Sequence, residues 1–267
     1  FFTFQAQAKS VILMIGDGMG NNHISCTEKD YPLFLSVIPS AYVRTASFDN
    51  PTTDSAAAAT AYACGIKTKN SYLGMAPDNT PCTTIAEEAL QNDTDVYILT
   101  TDNQYGATPS AFYAHVTNRY KNAVIDEQRD AFAAKSYLRF DIPSLQEAVK
   151  ELIPLLEQSD KQYFVMIEGA KIDKASHHRD FSEMEKQMTD FDGAVEKIWQ
   201  FSQNHPVNVY VTADHETGGL RADTCEYLTA NHTQVNVPLW IFGDAFEPQK
   251  TYENTEIYLM MKKALFE

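Results

Sequence analysis

Val11-Ile12-Leu13-Met14-Ile15 is an unbroken apolar run that stops at Gly16-Asp17-Gly18. A short run of this kind, closed by turn residues, predicts a strand buried on both faces. Runs at 96–99, 163–167, 207–212 and 239–242 read the same way. Between them the period changes to three and four. Phe181, Met184, Met188, Phe191, Val195 and Ile198 mark one face of a long helix, a core stripe. Helices are also predicted over 83–90, 143–156 and 257–265. The stretch "TTDSAAAATAYACG" predicts a shorter one, because Ala favours helix and Gly65 is a natural stop. The segment between Gly20 and that stretch carries only a weak pattern. Strands alternating with helices predict an α/β fold: a three-layer sandwich with a mainly parallel central sheet covered on both faces. No repeat, low-complexity tract or linker interrupts it, so residues 9–267 read as a single domain.

Composition sharpens this picture. The chain has 267 residues, 44% of them hydrophobic and 12% aromatic, enough for a large core and unlike a disordered chain. No apolar run reaches membrane-spanning length. The formal net charge of −15 excludes nucleic acid and anionic membrane surfaces as natural partners. It would repel an anionic small substrate as well, unless bound cations reverse the field locally. Residues 1–8 of "FFTFQAQAK" read as the end of a signal peptide, with Ala6-Gln7-Ala8 as the small-x-small cleavage pattern. That reading predicts a periplasmic or secreted protein in which disulfides are allowed. Cys26, Cys64, Cys82 and Cys225 contain no CxxC spacing and permit three pairings.

The polar residues that follow the strands carry the chemistry. Ligands in such sheets bind beyond the carboxyl ends of the strands. Asp17 follows the first run, "TTDNQYGATPSAF" the second, "EGAKIDKASHH" the third and "TADHETGG" the fourth. Asp17, Glu168, Asp173, His177, Asp214 and His215 should therefore converge on one edge. A single Asp after a strand usually caps a turn. The set is different. Asp173 and His177 share a face if their segment is helical, and carboxylate with imidazole is ligand chemistry for zinc. Unpaired carboxylates crowded at a partly buried edge would repel one another, and cations relieve this.

Taken together, "MIGDGMG", "TDSAAAATAYACGIKT", "ATPSAFYAHVTNR", "IEGAKIDKASHH" and "VTADHETGG" resemble the motifs of the alkaline phosphatase family, in family order from Met14 to Gly219. The resemblance implies a phosphate monoester hydrolase with Ser55 as nucleophile and a phosphoserine intermediate. A serine hydroxyl needs a base or a metal for this work, and no His–Asp pair is committed to Ser55 in the sequence. By resemblance one zinc belongs to Asp17, Asp214 and His215. A second belongs to Asp173, His177 and His232, the last within "NHTQVNVPLWIFG". Asp17, Glu168 and Thr108 match a third site that holds magnesium, which prefers hard oxygen donors. Arg119 matches the arginine that clamps phosphate, whose guanidinium offers two parallel donors. Asp54 and Lys174 match substrate-side positions, Lys174 reaching phosphate through water. Inorganic phosphate is the implied product.

Two departures stand out. Where relatives usually carry Asp or His, two residues before Thr108, this chain has Gly106. A group that orients a metal-bound water is therefore missing from its family position. The gaps between Arg119 and Glu168 and between His215 and His232 are also short. Insertions that often enlarge a dimer interface in the family are absent from them, so a homodimer stays an open expectation. His178, next to His177, is the rival ligand if the register differs. His23, His115 and His205 match no role. Competing readings are a phosphodiesterase or sulfatase of the same superfamily, and a non-catalytic metal- or phosphate-binding protein. Ser55 favours monoesters over diesters, and "TDSAAAAT" lacks the Pro and Arg of the sulfatase motif.

Overall fold

β1 (Ser10–Gly16) is buried at every residue, as an apolar run with no polar face requires. The structure is a computed structural model that describes residues 9–267, so the stretch 1–8, read above as a signal-peptide remnant, lies outside the described residues. After β1 come α1 (Asn21–Thr27), β2 (Ala41–Arg44), α2 (Ser55–Cys64), α3 (Ile85–Gln91) and β3 (Asp95–Thr100). The middle of the chain holds α4 (Ala107–Ser110), α5 (Asn122–Ala133), β4 (Tyr137–Arg139), α6 (Leu145–Gln158) and β5 (Tyr163–Gly169). Then follow α7 (Lys171–His177), α8 (Phe181–Ser202), β6 (Val207–Thr212), β7 (Glu216–Thr217) and β8 (His232–Thr233). β9 (Val237–Phe242), β10 (Thr251–Glu253) and α9 (Asn254–Phe266) close the chain.

Among the described residues, eight strands form one sheet in the order β10-β2-β9-β6-β1-β5-β3-β4. β9 alone runs against the others; every other neighbouring pair is parallel. α1, α6, α7 and α8 pack on one face, and α2, α3, α4 and α9 on the other. This is the expected three-layer α/β sandwich. Buried side chains from both faces form one connected core. α8 buries Met184, Met188, Phe191, Val195 and Ile198, most of the stripe read from its sequence.

The five predicted strands are all present. Three further strands of this sheet, β2, β4 and β10, span only three or four residues each, and β7 and β8 two each, too little pattern to be seen alone. α5 was not anticipated either, because only Ile125 and Phe132 on it are buried. The alanine-rich α2 is buried all round, which its small side chains permit against α4 and α9. Gly65 ends it in the left-handed region at φ 70°, and its N–H donates to the Ala61 carbonyl. The four Cys pair as Cys26–Cys225 and Cys64–Cys82, one of the three pairings the sequence allowed.

Candidate active site

β6, β1, β5 and β3 are neighbours, and all four carry polar residues at their carboxyl ends. The register aligns Ile15 with both Glu168 and Thr212, and Glu168 with Thr100. Asp17, Asp214, Glu168 and Asp102 thus fall along one edge. Gly18 takes the turn after Asp17 at φ 75°, and a Cβ there would lie 2.8 Å from Asp173 Cα. Only glycine lets the β1 turn lie this close to α7.

Asp17, Asp214 and His215 form the first group, with donor atoms within 4.8 Å of one another. His215 Nε2 lies 3.2 Å from Asp214 Oδ2, 3.6 Å from Asp17 Oδ1 and 3.3 Å from Ser55 Oγ. The His–Asp partner for Ser55 that the sequence did not reveal is therefore His215. It is not a relay, however. In a catalytic triad the carboxylate holds the far ring nitrogen, whereas here both carboxylates and the serine meet the same one. Asp17 Oδ1 and Asp214 Oδ2 are buried without a hydrogen-bond partner. Burial, with the charges of Asp214, Asp173 and Glu168, pushes the Asp17 carboxyl well above the usual carboxylate range. One nitrogen, a hydroxyl and two unpartnered carboxylate oxygens around one point fit a zinc-class cation.

The second group is Asp173, His177 and His232. Asp173 and His177 stand four apart on α7, on one face as the spacing predicted. Asp173 Oδ1 is 3.3 Å from His177 Nε2 and 3.7 Å from His232 Nε2. His177 Nδ1 faces the Ala230 carbonyl at 2.6 Å, and His232 Nδ1 faces the Thr53 carbonyl at 3.0 Å. Each Nδ1 must donate there, so in the neutral rings the two Nε2 lone pairs point at each other across 3.1 Å. That arrangement calls for a proton or a cation between them. The hydrogen bond to Asp173 raises the His177 pKa to about 9. Burial would raise Asp173, but His177 and the charge of His215 hold it well below its usual range. His232 reaches the group through the β7–β8 pairing, in which Thr217 aligns with His232. His178 is exposed, its Nδ1 on the Lys174 carbonyl, and takes no part.

Glu168 and Thr108, read with Asp17 as a third group, are both buried. Glu168 is pushed up to about 8, first by burial and then by the charge of Asp102. Thr108 Oγ1 is buried without a hydrogen-bond partner. Ser55 opens α2 while Asp54 caps it, accepting from Ala57 N at 2.9 Å. The other Asp54 oxygen accepts from Ser71 N at 2.9 Å and lies 3.5 Å from Arg119 Nη1. Lys174 pairs with Asp102.

A family model described as alkaline phosphatase matches residues 8–139 and 125–265, nearly the whole chain. The chain belongs to the alkaline phosphatase family. It is 27% identical to an alkaline phosphatase of Schizosaccharomyces pombe over 79% of this chain and 56% of that protein. It spans 56–63% of the length of the first four curated relatives it matches. Alkaline phosphatase from the Antarctic bacterium TAB5 superposes with a TM-score of 0.81 at 26% identity, over 97% of this chain and 99% of that one. Variants of the TAB5 protein were solved with magnesium bound in its M3 site. A cold-active Shewanella alkaline phosphatase shares the fold, with a TM-score of 0.87 at 20% identity over 97% of this chain and 100% of that one.

Two residues of this site escaped the sequence reading. Thr217 donates to Asp173 and faces His215 Nδ1 at 3.3 Å. Glu216 accepts from Gly219 N, Leu220 N and Thr233, and so holds the strand pair that delivers His232. Both stand in "TADHETGG" directly after the predicted ligands, which was the available signal. His23, which matched no role, is wholly buried, accepts from Gly20 N at 3.1 Å and meets Ser176 Oγ at 3.1 Å. Burial lowers its pKa to about 4, so it joins α1 to α7 as a neutral ring.

Proposed function

We propose that this chain hydrolyses phosphate monoesters in a metal-dependent reaction through a phosphoserine at Ser55, releasing inorganic phosphate. The observation that carries this is the meeting of Ser55 Oγ, Asp17 and Asp214 on one nitrogen of His215. Asp17, Asp214 and His215 would hold one zinc, and Asp173, His177 and His232 a second. His215 also lies within 4.8 Å of the Asp173 and His232 donors, so the two places adjoin. Glu168, Thr108 and Asp17 supply only oxygens and suit magnesium, the ion in the M3 site of the TAB5 variants. When bound, such cations lower the pKa of a hydroxyl or water and balance the charge of the phosphate oxygens.

The chain's own residues do the rest. Ser55 Oγ attacks phosphorus, the bond to the ester oxygen breaks on the opposite side, and the serine proton leaves with the alcohol. Water then attacks phosphorus, the bond to Oγ breaks, and a proton returns to Ser55. Arg119 offers two parallel N–H donors to the transferring group, and Asp54 holds it in place while capping α2. The free N–H groups at the start of α2 add positive potential where negative charge moves. Two disulfides suit export to the periplasm or outside the cell.

The test is turnover of a chromogenic phosphate monoester by the wild type and by Ser55→Ala, each stripped of metal and reloaded with zinc and magnesium. Strong turnover by the loaded wild type alone, with Ser55→Ala slower by ~10³ or more, is expected. Full activity in Ser55→Ala would mean that water attacks directly. No activity on monoesters would move the assay to diesters and sulfate esters, and then to the binding-protein reading.

A further inference from the structure

Gly106 stands where the family usually carries Asp or His, yet its backbone does not ask for glycine. Its φ of −52° and ψ of 132° are open to any residue. What excludes a side chain is Asp102. A Cβ built on Gly106 would lie 3.0 Å from Asp102 Cβ and 3.0 Å from Asp102 Oδ2. The space that a residue at 106 would fill is thus taken by a carboxylate from four residues upstream.

That carboxylate is held in place. The Asp102 N–H donates to Thr100 Oγ1 at 2.8 Å, and the Thr100 hydroxyl in turn donates to Glu168. Asp102 Oδ1 accepts from Asn103 N at 2.7 Å and from Lys174. Its side chain is 14% exposed. Its negative charge acts on Glu168, and Thr108 Oγ1 waits nearby in sequence, buried and without a partner. Glu168 and Thr108 are two of the three residues read as the magnesium place.

We propose that Asp102 is the carboxylate of the third-cation site in this chain, supplied by the β3 loop in place of a side chain at 106, and that it tethers Lys174 beside that site. The inference rests on the phosphatase reading above. Asp102 is a positioning residue. Magnesium keeps several of its waters, and a fixed carboxylate orients them. Lys174, next to Asp173 in sequence, is held at the same oxygen.

The experiment is a calorimetric titration of magnesium into the zinc-loaded protein, with zinc content measured separately. The chains are the wild type, Asp102→Ala, Asp102→Asn, and the double variant Asp102→Gly with Gly106→Asp, in which no Cβ at 102 opposes the new side chain. Asp102→Ala should weaken magnesium binding about 10- to 100-fold while zinc content stays at the wild-type value. Asp102→Asn, of the same shape without the charge, should weaken it too. The double variant returns a carboxylate to the same space and should recover most of the loss. Magnesium binding by Asp102→Ala as tight as in the wild type overturns the proposal. So does a double variant no tighter than Asp102→Ala. If Asp102→Ala fails to fold or loses zinc, Asp102→Asn and the double variant decide, and wild-type-like binding by Asp102→Asn overturns it. A zinc-loaded wild type that hydrolyses monoesters but binds no magnesium also overturns it and leaves the phosphatase reading standing. That reading fails on the Ser55→Ala comparison instead.

Discussion

A histidine in this chain does different work according to what its two ring nitrogens face. His177 and His232 each give Nδ1 to a carbonyl and turn Nε2 to Asp173. His115, in the same motif as Thr108 and Arg119, faces acceptors on both sides: the Gly74 carbonyl at 2.8 Å and Glu87 Oε1 at 2.8 Å. Both nitrogens must then carry protons. Burial pulls its pKa down, but the bond to Glu87, the bond to the Gly74 carbonyl and the charge of Glu87 together outweigh this and leave it above the ordinary 6.5. Glu87 is lowered from 4.5 despite its own burial. A raised histidine stabilises the fold fully below 6.5 and loses that contribution as pH rises through its folded value. A lowered glutamate contributes above 4.5 and loses it as pH falls. His115→Gln should therefore be less stable than wild type by about 2 kcal/mol near pH 5.5, and the gap should narrow toward pH 9. Thermal unfolding of both proteins across that range checks this; a gap independent of pH would mean the ring is neutral.

At the scale of the element, α2 shows how one residue can serve two ends. Asp54 caps the helix with one oxygen and holds Ser71 N and Arg119 with the other. The two roles separate by substitution. Asp54→Ala should lose about 1 kcal/mol of stability with the cap. Asp54→Asn caps as well as Asp, so its melting temperature should stay near wild type. Both should bind inorganic phosphate more weakly, because Arg119 loses its anchor. Unfolding curves and the inhibition constant of phosphate, measured side by side, test this. If Asp54→Asn inhibits like wild type, Arg119 is held by the Ser71 backbone alone. α7 entered the sequence reading only as a condition, that Asp173 and His177 share a face if their segment is helical, and the helix is present. α5 did not enter it, since two buried residues seven apart make no stripe.

Across the whole molecule, the two disulfides close loops of very different length. Cys26 and Cys225 are 199 residues apart, Cys64 and Cys82 only 18. Loop-closure entropy gives the first about 5 kcal/mol and the second about 3 kcal/mol. Removing the Cys26–Cys225 pair as a double Ser variant should lower the melting temperature more than removing Cys64–Cys82. Equal losses would show that the unfolded chain does not gain the expected freedom. The longer link also ties α1 to the segment between β7 and β8.

The sequence by itself determined the strands of the inner sheet, the long helix and the residues that ring the site. Those are local facts: an apolar run has no polar face to expose, and strand ends in such a sheet share one edge. The outer strands stayed hidden, because strands of three or four residues at or next to an edge take their structure from a neighbour. The cysteine pairing, the arrival of His232 through the β7–β8 pairing and the single nitrogen shared by Ser55, Asp17 and Asp214 were decided by tertiary structure. So was the carboxylate beside Gly106. A gap in a motif records only which residue is missing at one position, whereas the space that residue would fill can be reached from elsewhere in the chain.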